Sequence, residues 1–417
     1  MSKIDYDVLI GDCLETMKQI EPETIDCVVT SPPYWGLRDY GESEQIGLED
    51  TPEAYVEKMV SVFRKVKRIL KPCGTVWLNL GDSYWGGKGQ SGMGSAEYQE
   101  ERRENTPTLN RGYHNAPGGS KKTRPSDRKH STIKPKDLVG IPWRVALALQ
   151  ADGWWLRQDI IWHKPNPMPE SVTDRCTKNH EYIFLLTKSK SYFYDYMAIK
   201  ENMGLNLPGR NKRSVWTVTT QSFTGAHFAI FPPDLIEPCI LAGTSAHGCC
   251  GDCGAPWTRT IEHSKLGWQP TCECYGKLVK RDVVIPAILT REEVTKVGWG
   301  ASLDGSYHGK AQKEYEGTGA ENASDVKKRI IENATKDRIK TGMVYESDLA
   351  LDKHPVVPSV VFDPFGGSGT TAGVAIKNGR RAILCELNED YIEMMEDRIA
   401  GIANGWRKGQ MTLGDFN

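Results

Sequence analysis

The chain has 417 residues, 26% of them charged and 39% hydrophobic, with 12 Trp, 16 Tyr and 9 Phe. That is globular composition at two to three domains' length, and it excludes wholesale disorder. A formal net charge of −1 excludes a uniformly basic coat but not a basic face balanced by acid elsewhere.

Tyr6–Ile10 reads as a short strand before a Gly-Asp turn, and Leu14–Ile20 has helical spacing. Asp26–Thr30 is a β-rich run that stops at Ser31-Pro32-Pro33, because proline cannot continue a central strand. Pro52 suits a helix start, and Ala54–Leu70 carries apolar residues at helical spacing. Gly74–Leu80 is another buried strand. This alternation predicts an α/β fold with a mostly parallel sheet covered on both faces. Residues 84–136 break the pattern. Between Trp85 and Lys136 there are 11 Lys or Arg against 5 Asp or Glu, and few large aliphatics. The segment is too long for an ordinary loop. It is either a solvated flexible loop or a mobile basic segment that folds onto a polyanion.

A helix follows from about 135 to 152, then strands at Trp155–Trp162 and Tyr182–Thr187. Trp154, Trp155 and Trp162 are expected to pack in the core. His163 and Lys164 end the first of these strands, either facing a cleft or simply solvated. Pro232-Pro233 opens a helix over Asp234–Leu241. Residues 246–354 read as a separate insertion, with a cysteine cluster and then a charged stretch, Arg291–Asp348. Beyond it come a strand (Ser359–Phe362), a Gly-rich turn (Asp363–Thr371), a helix (Ala372–Asn378), a strand (Ala382–Cys385) and a helix (Tyr391–Ile399). No stretch approaches the roughly 20 apolar residues of a membrane helix. The start, MSKIDYDVLIGD, has no signal-peptide core, so an intracellular protein is expected.

Two motifs carry chemistry. The first is Asp363-Pro364-Phe365-Gly366-Gly367-Ser368-Gly369-Thr370-Thr371, between a strand and a helix. Glycines there let a ligand approach the backbone, and the helix start supplies free N–H groups. A Walker-type phosphate loop fails, since no Lys follows the last Gly. Gly367-x-Gly369-x-x-Ala372 matches a dinucleotide fingerprint formally, with Glu386 17 residues past Gly369 at the next strand end. That acid suits the ribose of either a dinucleotide or a nucleoside cofactor. The second motif is Ser31-Pro32-Pro33-Tyr34. The Ser31 hydroxyl and the Pro32 carbonyl can each accept one N–H from the exocyclic amino group of a planar base. This draws the nitrogen lone pair out of conjugation and aims it at an electrophile. The prolines stiffen the loop, and Tyr34 offers a stacking face.

Together these motifs resemble those of the amino-group DNA methyltransferases that use S-adenosylmethionine. With the catalytic loop first and the cofactor loop last, the order resembles the β-class. The resemblance implies a Rossmann-like methyltransferase sheet, circularly permuted. It further implies that Asp12, in Gly11-Asp12-Cys13, contacts the cofactor adenine. His227, Phe231 and Pro232 would close over the cofactor's methionine end, with Leu235 beside them. Asp363, Pro364, Phe365, Gly367, Ser368, Gly369 and Thr370 would form the cofactor loop. Glu386 would hold the ribose, with Arg380 and Tyr391 around it. Ser31, Pro32, Pro33 and Tyr34 would be catalytic, acting on a base swung out of double-stranded DNA. The nitrogen would attack the sulfonium methyl directly, without a covalent enzyme intermediate. Ser31, where many relatives carry Asp or Asn, leans toward N4 of cytosine, with N6 of adenine as the alternative. A Pro-Cys nucleophile for carbon-5 methylation has two candidates, Cys73 and Cys239, both in unpromising settings. The resemblance also implies a cytoplasmic protein of bacterial or phage origin and leaves open a cognate restriction endonuclease and a monomer or homodimer.

Five of the eleven cysteines lie between 249 and 274. Cys250-x-x-Cys253 and Cys272-x-Cys274, about 20 residues apart, suit one structural zinc in a zinc-ribbon-like insertion. Cys249 makes the register ambiguous, and His247 or His263 could replace one ligand. The expected organisation is thus a catalytic half (1–83), a basic loop (84–134), the continued methyltransferase domain (135–245), the cysteine-bearing insertion as a candidate target-recognition element (246–354), and a cofactor-binding half (355–417). Two rivals stand beside this reading: an NAD-type oxidoreductase built on the Gly-rich turn, and a zinc-containing DNA-binding module without catalysis.

Overall fold

The computed structural model describes residues 6–37, 45–86, 125–127, 130–201, 209–221, 231–262, 265–275, 278–285, 338–345 and 355–405. The chain forms two compact units, one of Met1–Thr271 with Val356–Asn417 and one of Cys272–Pro355.

The larger unit is built on strands β1 (Tyr6–Ile10), β2 (Ile25–Thr30), β3 (Leu70–Leu80), β4 (Trp155–His163), β5 (His180–Thr187) and β6 (Val215–Thr217). Two short pairs come next: β7 (Cys249–Cys250) against β12 (Val356–Val357), and the hairpin of β8 (Trp257–Glu262) and β9 (Lys265–Pro270). The chain closes with β13 (Val360–Asp363) and β14 (Arg381–Glu386). Among the described residues six α-helices accompany them: α1 (Cys13–Thr16), α2 (Pro52–Ile69), α3 (Ile141–Ala151), α4 (Pro233–Gly243), α5 (Thr370–Lys377) and α6 (Ile392–Ala403). In the smaller unit, β10 (Leu278–Ile285) pairs antiparallel with β11 (Arg338–Tyr345).

The central sheet has eight strands in the order β1-β14-β13-β2-β3-β5-β4-β6. Only β5 runs against its neighbours. Both faces are covered, and the strands show it by alternation. Val28, Val76 and Leu78 pack under α2 and α3, beside Tyr55, Met59, Phe63, Val145 and Leu149. Cys27, Val29 and Trp77 point the other way, toward Leu235, Ile240, Val374, Met395 and Ile399. Helix α2 starts where expected: Thr51 caps it by accepting from the Ala54 N–H, with Pro52 in the first turn.

The helix expected from about 135 starts only at Ile141. Residues 136–139 instead pair with 83–85 through Lys136 N–Trp85 O, Trp85 N–Asp137 O and Val139 N–Ser83 O bonds of 2.8–3.0 Å. Gly140, at φ +79°, then turns the chain into the helix. This ladder closes the base of the basic segment, most of which (87–124, 128–129) lies outside the described residues. Trp154 and Trp162 are buried as expected, but Trp155, the first residue of β4, is 47% exposed. Among the described residues no helix is long and apolar enough to cross a membrane.

Candidate active site

Strand order reverses between β13 and β2. The chain leaves β13 through α5 toward β14, and leaves β2 through α2 toward β3. Loops diverging from the C-terminal ends of two adjacent parallel strands open a crevice, the usual ligand position in an open α/β sheet. The pairings Val361↔Cys27 and Phe362↔Val28 set the two strands in register. The two sequence motifs, more than 300 residues apart in the chain, therefore meet. Thr30 Oγ1 donates to Asp363 Oδ1 at 2.7 Å, tying the strand ends together. Asp363 also accepts from the Phe365 N–H (3.0 Å) and from Thr371 Oγ1 (2.7 Å). Burial outweighs these donors and pushes its carboxyl up to about 7. Asp363 thus ties the loop to the sheet.

The Gly-rich turn is shaped by its backbone. Gly366 N donates to Cys385 O and Gly367 N to Glu386 Oε2, both at 2.7 Å. Gly369 caps α5 at φ +73°, and a Cβ there would lie 2.6 Å from Met395 Cγ and 2.7 Å from Ile399 Cγ1. Only glycine fits that position. Glu386 Oε1 accepts from Asn388 N at 3.0 Å, and burial raises the carboxyl above its ordinary range. At the end of β1, Gly11 N donates to Glu386 O (2.8 Å), and Asp12 caps α1 by accepting from Leu14 N (2.6 Å).

One cavity lies over these strand ends. It is lined by Gly11, Asp12 and Cys13, by Ser31 and Pro33, by Gln45 and Ile46, by Phe231, by residues 363–368 and Thr370, by residues 385–388, and by Tyr391. Eleven of the expected catalytic and cofactor-binding residues face it: Asp12, Ser31, Pro33, Phe231, Asp363, Pro364, Phe365, Gly367, Ser368, Thr370 and Glu386. Four do not. Pro32 and Pro232 are buried, Gly369 is pressed against α6, and Tyr34 turns toward β3 and β5. His227 lies outside the described residues. Arg380 is remote from the cavity, donating to Thr244 Oγ1 (2.9 Å) at the far end of β14. Sequence reasoning missed Gln45, Ile46, Leu387 and Asn388, of which only the last two carried a signal, by following Glu386.

The tyrosine of the Ser31–Tyr34 loop is held by side chains. Tyr34 Oη donates to Glu181 Oε2 at 2.7 Å and lies 3.1 Å from Asn79 Oδ1, while Ser31 Oγ donates to Tyr34 Oη at 3.3 Å. Burial, with Glu181 second, drives the phenol's pKa well above its usual value, so Tyr34 keeps its proton. The ring edge lies over Gly81, where a Cβ would come within 2.5 Å of Tyr34 Cε2. Lys164 is no solvated residue: it ion-pairs with Glu181 and sits 4.2 Å above the Trp162 ring. Neither Pro-Cys thiol is activated: burial raises both, Cys239 well above its usual value.

The adjacent cysteines have different surroundings. Cys249 faces inward, 3.4 Å from Asp26 Oδ1 and 3.5 Å from Ser359 Oγ, and burial pushes its thiol up to about 12. The sulfurs of Cys250, Cys253, Cys272 and Cys274 all lie within 4.8 Å of one another, a group that could hold one metal ion. Gly254, at φ +71°, closes the turn after Cys253. His247 lies against the Trp257 and Trp268 rings. His263 lies outside the described residues.

Residues 25–253 and 310–397 match the family model described as DNA methylase, of the N6 and N4 methyltransferases. The chain is 50% identical over 238 residues to the Type II methyltransferase M.XycI of Xanthomonas campestris pv. cyanopsidis, covering 56% of this chain and 71% of that protein. It is 47% identical over 237 residues to the Type II methyltransferase M.Cfr9I of Citrobacter freundii (56% and 71%). With the Type II methyltransferase M.SmaI of Serratia marcescens it shares 46% identity over 242 residues (58% and 76%).

Proposed function

The chain belongs to the DNA methylase family of N6 and N4 amino-methyltransferases, and from that premise we propose that it transfers the methyl group of S-adenosylmethionine to N4 of cytosine in duplex DNA. Family membership disposes of the oxidoreductase and of the catalytically silent module. The observation that carries the proposal is the single cavity shared by Ser31 and Pro33 with the Asp363–Ser368 turn and Glu386.

The residues fit a nucleoside cofactor. Glu386 keeps acceptor capacity for ribose hydroxyls beyond its two backbone bonds. Asp12 lines the cavity and keeps acceptor capacity for a base amino group beyond its bond from Leu14 N. Phe231 and Phe365 supply apolar walls, and the glycines let a ligand lie close to the backbone. S-adenosylmethionine, when bound, supplies an electrophilic sulfonium methyl. The chain's own residues do the rest. Ser31 Oγ and the Pro32 carbonyl accept the two amino hydrogens and orient the nitrogen lone pair. Tyr34 fixes the loop through its bond from Ser31, and Pro33 lines the cavity beside Ser31. Catalysis by positioning and electrostatics needs no nucleophile from the protein, in keeping with the raised thiols. Ser31, a neutral acceptor, supports cytosine N4; adenine N6 is the second reading.

The sheet supports a circular permutation, since the C-terminal strands β13 and β14 lie between β1 and β2. The four-sulfur group supports a structural zinc on Cys250, Cys253, Cys272 and Cys274. Similarity to Type II methyltransferases supports a role in restriction–modification beside a cognate endonuclease. The test is expression in a methylation-free host, followed by sequencing of its genome for modified bases. N4-methylcytosine at one recurrent sequence is expected. N6-methyladenine would move the target base, and an unmodified genome with soluble, cofactor-binding protein would refute the assignment.

A further inference from the structure

Glu181 and Lys164 form a partly buried ion pair at the catalytic end of the sheet, with side chains 14% and 18% exposed. The β4–β5 ladder, with Trp162 opposite Glu181 and His163 opposite His180, holds both in place. Asn79 Nδ2 donates to Glu181 Oε2 (3.3 Å) and to the Tyr182 carbonyl (3.1 Å), so its own oxygen faces Tyr34. The phenol of Tyr34 has a single proton, and a carboxylate only accepts. Tyr34 Oη has two acceptors, Glu181 Oε2 at 2.7 Å and Asn79 Oδ1 at 3.1 Å, and the closer one carries the charge. The Tyr34 proton therefore goes to Glu181, and Tyr34 Oη is left to accept from Ser31. The proton of Ser31 is thereby committed to Tyr34, and its lone pairs are left for another donor.

We propose that Glu181 is a positioning residue for methyl transfer: acting through Tyr34, it sets the direction of the Ser31 hydroxyl so that Ser31 presents lone pairs to the exocyclic amino group. Lys164 holds the carboxylate in place for this task. The inference rests on the reading of Ser31–Tyr34 as the catalytic loop. A residue that merely packed the β4–β5 edge would act independently of Tyr34, and that difference can be measured.

The test is a double-mutant cycle on the single-turnover methylation rate at saturating DNA and S-adenosylmethionine. Glu181→Gln, whose amide can donate toward Tyr34 and reverse the chain of hydrogen bonds, is expected to lower the rate about tenfold or more, as loss of a charge-assisted bond would. S-adenosylmethionine affinity, read by calorimetry, should stay within about twofold. In the Tyr34→Phe background the same Glu181→Gln change should cost less than about twofold, because the link is already cut. An equal penalty in both backgrounds, or none in either, overturns the proposal. If Glu181→Gln loses cofactor binding, Glu181→Asp takes its place: it should retain more activity than Glu181→Gln when Tyr34 is present, and an equal loss in the two overturns the proposal. Ser31→Ala separates the two levels of the argument. A full rate for Ser31→Ala removes the catalytic reading and this inference together. A large loss for Ser31→Ala beside an uncoupled Glu181 removes this inference alone.

Discussion

The two loops that face each other across the cavity are held by opposite means. The Asp363–Gly369 turn is a backbone object. Its shape comes from left-handed glycines, from N–H groups spent on Cys385 O and Glu386 Oε2, and from a helix pressed so close that position 369 admits no side chain. The Ser31–Tyr34 loop is a side-chain object. Two prolines stiffen it, and its orientation comes from Tyr34 reaching Glu181, 147 residues away in sequence. The first arrangement serves a ligand that must be gripped the same way in every turnover. The second leaves a short polar chain whose proton directions can be tuned. A change in the backbone-built loop should therefore damage folding and cofactor affinity together, whereas a change around the side-chain loop should damage turnover alone.

The sharpest way to break that contrast is Gly369→Ala. The added methyl meets Met395 and Ile399 in the core and sits at a positive φ. Overpacking and backbone strain together predict a loss of about 2–5 kcal/mol. Thermal unfolding should show a large drop in Tm, and calorimetry no S-adenosylmethionine binding. A variant with wild-type stability would contradict this packing of the turn against α6. Gly81→Ala probes the other loop. Its Cβ would fall 2.5 Å from the Tyr34 ring, and Gly81 does not line the cofactor cavity. The ring must move and take Ser31's hydrogen-bond partner with it. The methylation rate should fall about tenfold or more, with cofactor affinity unchanged within about twofold. If affinity fell as far as rate, the two loops would not be separable.

This difference also explains what could be read in the sequence. Glycine at 367 and 369 satisfies a local demand, a strand-to-helix turn at positive φ with no room for a Cβ at 369, and a local demand leaves a local trace. Ser31-Pro32-Pro33 is legible for the same reason, since proline both ends the strand and stiffens the loop beyond it. Glu181 was not legible, because its role depends on β5 lying beside β3, a pairing far from local in the chain. Its one trace is a charge at the head of an otherwise apolar run, His180–Thr187. The late start of α3 was missed because residues 136–139 give up helical bonds for a ladder with 83–85. Trp155 differs from its neighbour because Trp154, before the strand, packs against Phe63 in the core, whereas Trp155 opens β4 and is 47% exposed.

Asp363 sharpens the comparison through pH. Its folded carboxyl titrates near 7, against 3.8 for the ordinary group. A pKa raised by folding contributes stability that is complete below the unfolded value and is lost as pH rises through the folded one. The wild type should therefore lose stability between about pH 4 and pH 7, and Asp363→Asn, which cannot ionise, should flatten that decline. Urea unfolding midpoints of both proteins across this range test the point. Parallel curves would mean that Thr30, Thr371 and the Phe365 N–H stabilise the ionised carboxylate enough to offset its burial.

The smallest effect on turnover is expected far from both loops. Cys250 stands on the short strand β7, paired with β12, whereas its neighbour Cys249 is committed to Asp26 and Ser359 in the core. Adjacent residues on a strand face opposite ways, so one cysteine can serve the core while the next serves a metal. In the proposed zinc site four thiolates would leave no open position for substrate, which fits a structural ion and not a catalytic one. Cys253→Ser should therefore reduce bound zinc from about one per chain to well below half, measured by elemental analysis. It should lower Tm while leaving S-adenosylmethionine affinity within about twofold, because no cysteine of this group lines the cofactor cavity. A Cys249→Ser change reverses the expectation: it keeps the zinc, exchanges a buried sulfur for a hydroxyl beside Asp26, and lowers Tm through the core. Should Cys249→Ser release the zinc while Cys253→Ser retains it, the two neighbours would have exchanged roles, with Cys249 on the metal and Cys253 free of it.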